Sequence, residues 1–217
     1  MQFVAISDTH CRHHNLRLPP GDVLLHTGDI TMRGLRSELL DFLLWFRLQP
    51  YKHKIFIGGN HDFCLEQIPA PQLACLIPEG VTYLNDAGVS IEGLQIWGSP
   101  VSPFHHGWAF NRHRGAHIRR HWQKIPDDTD ILLTHTPPFG ILDQIVTEKN
   151  NGDKDLLKRV LSIQPSIHVF GHIHEAYGQQ RKGATRFYNA SLMNEHYQLV
   201  NQPFSFQLNP KPVTGSA

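Results

Sequence analysis

The stretch IFIGGNHD, residues 55–62, joins a short apolar run to two glycines and three polar residues. Isoleucine and phenylalanine bounded by turn-forming residues are typical of a buried strand. Glycine permits a tight exit from such a strand, and Asn60, His61 and Asp62 follow it directly. The stretch therefore predicts a strand whose carboxyl end carries chemically active side chains.

Four other apolar runs along the chain end in the same way. They cover residues 3–6, 23–25, 131–133 and 167–170, and the metal-capable residues after them are Asp8, His10, Asp29, His135, His172 and His174. One Asp-x-His or Gly-Asp pattern is common in ordinary loops, but five such ends in this order favour a shared site. Because ligands gather at the carboxyl ends of strands in α/β sheets, we expect all five ends to converge on one crevice.

The stretch FGHIHEAYG, residues 170–178, contains two of these histidines with one residue between them. Residues i and i+2 of an extended segment point the same way. We therefore expect His172 and His174 to face one site and to contact adjacent metal ions.

The rest of the chain mixes helical patterns with strand patterns. Apolar residues recur at helical spacing in 35–47 and 153–163, whereas 81–84, 94–98, 185–189 and 204–208 read as further strands. We find no internal repeat and no convincing linker. We predict an α/β fold of sheets flanked by helices, with one domain over residues 1–208 and a flexible tail at 209–217.

Composition limits the classes of binding partner and indicates the cellular compartment. The formal net charge of the 217 residues is +1, which argues against binding to duplex nucleic acid or to an anionic membrane through a broad positive surface. No apolar run approaches the roughly 20 residues that span a bilayer, and the first residues lack a secretory signal pattern. Three cysteines are too few for a disulfide framework. We predict a cytoplasmic protein. Its sequence is compatible with a monomer or a homodimer.

In their order along the chain, DTH, HTGDIT, GNHD, THTPP and FGHIHEAYG resemble the motifs of the calcineurin-like metallophosphoesterase superfamily. With the stretch GSPVSPFHHGWAFNRHRG they look closer still to its metallophosphoesterase-domain branch, near the class III cyclic nucleotide phosphodiesterases. The motifs extend from residue 8 to residue 174 and so cover most of the chain. The resemblance implies a four-layer α/β/β/α sandwich of two mixed sheets flanked by helices, with two divalent metal ions.

Carried onto this sequence, the resemblance implies two overlapping sets of metal ligands. The first set is Asp8, His10, Asp29 and His174, and the second set is Asp29, Asn60, His135 and His172. Asp29 would bridge the two ions. The resemblance also places His61 toward the substrate as a catalytic residue, with Asp62 orienting its ring.

This ligand set predicts the metals and the reaction. Imidazole and carboxylate ligands without thiolate suit Mn, Fe, Zn or Co better than Mg or Ca. Two such ions can share a bridging hydroxide that attacks phosphorus. Two divalent cations and a hydroxide against two carboxylates leave about one positive charge, which a phosphodiester monoanion neutralises. We therefore expect a phosphodiesterase that acts on cyclic nucleotides or other small phosphodiesters.

Substrate recognition is expected between residues 98 and 120. Trp108 can stack on a base there, while Asn111 and Arg112 can contact phosphate or a base edge. A structural loop with solvated charges explains the same residues. A phosphomonoesterase acting on proteins or nucleotides is the second hypothesis, and a non-catalytic metal-binding scaffold is the third. The presence of His61 and of every expected ligand argues against the scaffold.

Overall fold

The computed structural model describes residues 1–209, so the predicted tail lies outside the described residues from position 210 onward. The strands, in chain order, are β1 (Gln2–Ile6), β2 (Val23–His26), β3 (His53–Ile57), β4 (Val81–Leu84), β5 (Ala87–Ile91), β6 (Leu94–Ser99), β7 (Ser102–Pro103), β8 (Asn111–Arg112), β9 (Ile131–Thr134), β10 (Ile167–Phe170), β11 (Gly178–Lys182), β12 (Thr185–Asn189) and β13 (Phe204–Gln207). The α-helices are α1 (Arg36–Arg47), α2 (Phe63–Gln67), α3 (Ala70–Leu76), α4 (Ala116–Trp122) and α5 (Lys154–Ile163). Short 3-10 helices cover His13–Asn15 and His174–Ala176.

Most of the strands form two large mixed sheets. The five-stranded sheet has the order β13-β1-β2-β3-β4, and the six-stranded sheet has the order β11-β12-β10-β9-β6-β5. Strands β1 to β4 are parallel, and β13 pairs with β1 antiparallel. In the other sheet β6, β9, β10 and β12 are parallel, and the edge strands β5 and β11 are antiparallel. All five predicted apolar runs are inner strands of these sheets.

Alternation of side chains along the inner strands produces the layers of the fold. In β1, Phe3 and Ala5 belong to the apolar core between the two sheets, whereas Val4 and Ile6 pack toward α1, α2 and α3. In the other sheet, Leu132 of β9 packs outward with residues of α4 and α5. The layers are therefore helix, sheet, sheet and helix, which confirms the predicted four-layer α/β/β/α sandwich.

Helix α1 covers the outer face of the five-stranded sheet. Its buried side includes Leu39, Leu43 and Phe46, whose three- and four-residue spacing belongs to the predicted helical pattern. Leu44, on the opposite side, is 59% exposed. In the part of the chain that the structure describes, no helix has the length and apolar character needed to cross a membrane.

Candidate metal centre

Backbone hydrogen bonds tie the loops after β1 and β2 together, and the His172 N–H after β10 donates to the Asp8 carboxylate at 3.1 Å. The N–H of Asp8 donates to the Gly28 carbonyl at 3.0 Å, and the N–H of His10 donates to the Asp29 carbonyl at 3.0 Å. Positive φ values of 54°, 40°, 55° and 70° occur at Asp8, His10, Asp29 and His172. A non-glycine residue in this region is strained by about 1 kcal/mol or more, and such strain concentrates at functional sites.

Four of the predicted ligands form a first donor cluster. Nε2 of His10 lies 3.4 Å from Nε2 of His174 and 3.7 Å from Oδ2 of Asp29. Nε2 of His174 lies 3.4 Å from Oδ1 of Asp8. Two imidazole nitrogens and two carboxylate oxygens, supplied by three different loops, therefore lie within reach of one ion.

The remaining predicted ligands form a second donor cluster around Asn60. Its Oδ1 lies 2.8 Å from Nε2 of His135 and 2.8 Å from Nδ1 of His172. Nε2 of His135 also lies 3.4 Å from Oδ1 of Asp29. Asp29 thus turns one carboxylate oxygen toward each cluster, an arrangement that allows it to bind two ions.

The separations between donor atoms test whether these residues fit a pair of metal ions. Metal–ligand bonds of about 2.1 Å at a tetrahedral angle place neighbouring donors about 3.4 Å apart. The contacts within the two clusters range from 2.8 Å to 3.7 Å. Imidazole, carboxylate and amide donors also suit a divalent transition metal. The structure therefore brings all seven predicted ligands together in an arrangement that suits two ions.

Backbone carbonyls orient three of the ligand histidines. In each ring, Nδ1 lies within hydrogen-bond distance of a carbonyl, and Nε2 faces the donors of a cluster. The pairs are His10 with Thr31 at 3.2 Å, His135 with Thr27 at 2.9 Å and His174 with Asn194 at 3.0 Å. A ring whose Nδ1–H donates to a carbonyl keeps the Nε2 lone pair free for a metal ion.

Two residues that sequence reasoning missed support the first cluster. The Ser191 hydroxyl donates to Oδ2 of Asp8 at 2.6 Å. The side-chain amide of Asn189 donates to the Ile173 carbonyl at 2.8 Å, within the loop that carries two ligands. Asn189 ends β12 and Ser191 follows it. Because no histidine or carboxylate follows this strand directly, no metal-ligand pattern marks it in the sequence.

The charged groups of the centre perturb one another in the metal-free protein. Burial alone would raise the pKa values of Asp8 and Asp29, but His174 and His135 respectively hold both carboxyl groups well below the usual range. Burial would also lower the pKa values of these two histidines, but their carboxylate partners raise each to about 9. At His10 burial dominates and lowers the pKa to about 4. At neutral pH, when no metal is bound, the rings of His135 and His174 therefore carry a proton on both nitrogens and are positively charged.

Metal binding is expected to be linked to proton release through these two histidines. A metal ion binds the unprotonated imidazole, so below a pH of about 9 both His135 and His174 must lose a proton. We expect release of about two protons at neutral pH and an affinity that rises with pH and then levels off. Calorimetry in buffers of different ionisation enthalpy measures this release. An affinity independent of pH over the same range would contradict it.

Gly171 allows the loop after β10 to approach Asp8 closely. A Cβ added at this position would collide with Oδ2 of Asp8 and Oγ of Ser7. We expect Gly171→Ala to displace the carboxylate, lower the metal content and destabilise the fold by about 1–3 kcal/mol. Gly178→Ala is the matched control, because a Cβ there meets Leu142 at an ordinary 3.5 Å. Metal content and melting temperature test this, and equal behaviour of the two variants would refute it.

His61 lies beside the two clusters in a fixed orientation. Its backbone N–H donates to Oδ1 of Asp29 at 2.8 Å, and its Nδ1 lies 2.8 Å from the Met32 carbonyl. A ring nitrogen is within 4.8 Å of donor atoms of His10 and Asp29. The Trp108 ring packs on the imidazole with 4.4 Å between centroids. The ring is therefore placed next to the reacting centre, and its catalytic role stays a prediction.

Asp62 does not orient the His61 ring, contrary to our prediction. Its Oδ1 accepts hydrogen bonds from the N–H and hydroxyl of Thr31 at 2.9 Å and 2.6 Å, and its Oδ2 accepts one from the Gly59 N–H at 2.8 Å. Within residues 1–209 the partner that orients the ring is the Met32 carbonyl. The physical reason is that the Asp62 side chain turns into the protein and ties the loops after β2 and β3 together. Burial and the nearby Asp29 raise its pKa to about 6.

The loop that carries His172 and His174 is not extended as predicted. His172 has a φ of 70°, the Ile173 N–H donates to the Gly171 carbonyl at 2.8 Å, and His174 begins a 3-10 helix. The two rings do face the same site. A tight turn, however, brings them there, so that His172 presents Nδ1 to the second cluster while His174 presents Nε2 to the first.

A pocket of about 300 Å³ opens over both clusters. The residues that line it are Asp29, Asn60, His61, His105, Trp108, His172, His174, Glu175, Glu195 and Tyr197. A larger cavity of about 880 Å³ lies at α2, α3 and β4, and none of the predicted ligands lines it. The smaller pocket is the candidate substrate site because it is the one that reaches the donor atoms.

Of the three predicted substrate-binding residues, Trp108 lines this pocket. Asn111 and Arg112 are not among its described lining residues. The Asn111 amide donates to the Ser102 hydroxyl at 2.9 Å, and the Arg112 guanidinium pairs with Glu66 at 3.2 Å. These contacts shape the loop that carries Trp108, so Asn111 and Arg112 have the structural role that was the alternative to substrate binding.

Four further lining residues, His105, Glu175, Glu195 and Tyr197, were not predicted. The Tyr197 ring lies 5.0 Å from the His10 ring and 5.4 Å from the His174 ring, centroid to centroid. Glu175 follows a predicted ligand directly, so its sequence position could have indicated it. Glu195 and Tyr197 lie in a loop after β12 that carries none of the patterns considered above.

Comparisons with known proteins agree with this geometry. A family model described as calcineurin-like phosphoesterase matches residues 1–176. Human metallophosphoesterase domain-containing protein 1 is 40% identical over 234 residues, which cover 97% of this chain and 72% of that protein. A UPF0046 protein of Caenorhabditis elegans is 38% identical over 226 residues, with 99% and 77% covered. A solved crystal structure with 15% identity has a TM-score of 0.62 over 87% of this chain and 89% of that one, a likeness of fold alone.

Proposed function

Because the chain belongs to the calcineurin-like phosphoesterase family and is a metal-dependent phosphoesterase, we propose that its preferred substrates are small phosphodiesters, with cyclic nucleotides among them. The proposal concerns the substrate class, which family membership leaves open, since one scaffold can serve many substrates. It rests on the charge of the residues that line the pocket over the donor clusters and on the aromatic side chains beside them.

The charge of the pocket lining carries this proposal. Glu175 and Glu195 line the pocket, and its described lining residues include no lysine or arginine. Proteins commonly hold a phosphate dianion with cationic side chains, arginine above all. The two glutamates would repel a monoester dianion more strongly than a diester, which carries a single negative charge. The lining therefore favours diesters.

Aromatic side chains support the inclusion of nucleotides. Trp108 packs 4.4 Å from the His61 ring, and Tyr197 lies 6.2 Å from the same ring, centroid to centroid. Aromatic faces bind nucleobases and other flat groups by stacking. A base attached to the reacting phosphate could therefore rest against Trp108 or Tyr197 while the phosphate lies over the donor clusters.

The mechanism follows from which residues hold the ions and which face the substrate. When bound, the two ions supply an activated water molecule and stabilise negative charge on the phosphoryl oxygens. His61 holds its Nδ1 toward the Met32 carbonyl, which leaves Nε2 for the substrate. In its imidazolium form His61 also carries a proton on Nε2, which can pass to the departing oxygen as the bond from that oxygen to phosphorus breaks. An alcohol then leaves, a phosphomonoester remains, and the neutral ring keeps its Nδ1–H on the Met32 carbonyl.

We also propose the type of ion and the compartment. The donor set contains four imidazoles, two carboxylates and one amide without thiolate, which favours Mn, Fe, Zn or Co. The three cysteines are unpaired, which favours a reducing compartment such as the cytoplasm.

The experiment that tests the substrate class uses metal-stripped protein reconstituted with Mn²⁺. We expect kcat/KM for bis(p-nitrophenyl) phosphate to exceed that for p-nitrophenyl phosphate about tenfold or more, with EDTA abolishing both. The Glu175→Gln/Glu195→Gln variant should raise the monoester rate several-fold relative to the diester rate, because it removes the repulsion. A preference for the monoester would make the protein a phosphomonoesterase, and an unchanged ratio in the variant would contradict the role of the two glutamates.

A further inference from the structure

A separate cluster of metal-capable side chains lies between the 3-10 helix His13–Asn15 and α1. Nε2 of His13 lies 3.1 Å from Oδ2 of Asp41, and Nε2 of His14 lies 3.1 Å from both oxygens of the same carboxylate. The two imidazole rings are 4.5 Å apart, centroid to centroid. Two imidazole nitrogens and a carboxylate therefore converge at separations that suit ligands of one ion.

One side of this cluster is packed into the protein core, and its other side is exposed to solvent. The His13 side chain is buried and packs against Phe42 and Trp45, with ring centroids 5.6 Å and 5.0 Å away. The His14 and Asp41 side chains are 57% and 51% exposed. One ligand is thus fixed by the core, and the exposed side leaves room for water molecules to complete the coordination.

The protonation states of the cluster also suit a metal ion. Burial, helped by the neighbouring His14, lowers the pKa of His13 to about 4, so its ring is neutral at neutral pH. At Asp41 slight burial acts to raise the pKa, but the hydrogen bonds and charges of the two histidines lower it overall. Asp41 is therefore ionised and the His13 ring is uncharged, so an ion that binds Nε2 of His13 requires only that the single ring proton move from Nε2, where it faces Asp41, to Nδ1.

We propose that His13, His14 and Asp41 form a third metal site, distinct from the paired clusters, which binds one divalent ion of the Zn, Co, Ni or Cu type. Two imidazoles and one carboxylate are donors that these ions prefer over Mg or Ca. The site shares no residue with the two clusters. Its ion would link the segment that follows His10 to α1 and so stabilise the start of the first ligand loop.

Zinc binding to the fully metal-loaded protein tests this site. After equilibration with about 10 µM free Zn²⁺, we expect three ions per chain in the wild type and two in His14→Ala and in Asp41→Ala. The control is His106→Ala, which removes another exposed histidine whose ring also adjoins a histidine, at 4.1 Å. It should keep three ions. Excess Zn²⁺ should raise the melting temperature of the wild type more than that of the His14 and Asp41 variants.

The loss of the third ion can be distinguished from unfolding of the variants and from an error in the proposed substrate class. Both substituted side chains are half exposed, and circular dichroism together with retained hydrolysis would show that the variants are folded. His14→Gln and Asp41→Asn repeat the test with closer shapes. Two ions per chain in the wild type, or an equal loss in the His106 variant, would overturn the proposal whatever substrate the enzyme prefers.

Discussion

Asp29→Asn is expected to remove both metal ions of the paired clusters and to lower hydrolysis by about 10³-fold or more. Asp29 directs Oδ2 toward His10 and Oδ1 toward His135, at 3.7 Å and 3.4 Å. Asparagine has no negative charge and one oxygen fewer, so it cannot present a carboxylate oxygen to each ion. Loss of a residue that merely supports a ligand costs about 10–100-fold in metal affinity, and loss of a shared ligand should cost more. Metal content per chain and kcat/KM measure the effect.

The matched control for this change is Asp153→Asn, because Asp153 is also a buried carboxylate. It accepts hydrogen bonds from the Trp122 indole at 2.9 Å and from the Leu156 N–H at 2.8 Å, next to α5 and away from the donor clusters. We expect this variant to lose stability and to keep both ions. An Asp29→Asn protein that still holds two ions would contradict the shared-ligand geometry.

His61→Ala is expected to keep the metal ions and to lower hydrolysis by about 10²–10⁴-fold. The ring lies next to the clusters, but the structure anchors its Nδ1 on the Met32 carbonyl at 2.8 Å. The effect should depend on the leaving group. An alkoxide needs a proton as it departs, whereas p-nitrophenolate does not, so a cyclic nucleotide should suffer more from the substitution than bis(p-nitrophenyl) phosphate.

This dependence separates proton donation from metal binding. If His61 were a ligand, the alanine variant would lose an ion and slow all substrates to a similar extent. Metal analysis of the variant, alongside rates on the two substrates, decides between these roles. Trp108→Ala is a useful companion, because it removes the ring that packs on His61 at 4.4 Å and leaves the imidazole itself in place.

The strand ends and the positions of the metal-capable side chains could be predicted from sequence because both depend on local pattern, whereas their division into two ligand sets came from the resemblance. A short apolar run specifies a buried strand, and the polar residues after it are carried to the edge where the parallel strands end. Asn60 and His135 illustrate this: each follows a predicted strand, and their donor atoms meet at 2.8 Å. The same runs indicated sheets flanked by helices, and the resemblance that they supported implied the four layers.

The directions of side chains at the strand exits could not be predicted in this way. Asp8, Asp29 and His172 adopt positive φ values that non-glycine residues disfavour, and tertiary hydrogen bonds hold them there. Local preference therefore gave the wrong conformation for the turn at His172. The same limit explains Asp62, whose side chain turns away from the neighbouring ring because Thr31 and Gly59, in separate loops, supply its partners.

Residues recruited from distant parts of the chain were also missed. Ser191 donates to Asp8 across 183 positions of sequence, and Tyr197 packs on His10 from the same loop. Both reach the site only because β12 pairs in parallel with β10 and so ends at the same edge. Neither residue type is diagnostic of a metal centre, so the topology had to be known first.

The most direct measurement for the account as a whole is a crystal structure of the Mn²⁺-loaded protein with anomalous scattering recorded at the manganese edge. We expect two manganese peaks about 3.5–4 Å apart over the donor clusters. One oxygen of Asp29 should lie on each ion, and Asn60 should bind the ion that His135 and His172 share. A single peak, or two peaks that do not share Asp29, would contradict the assignment of a paired metal centre.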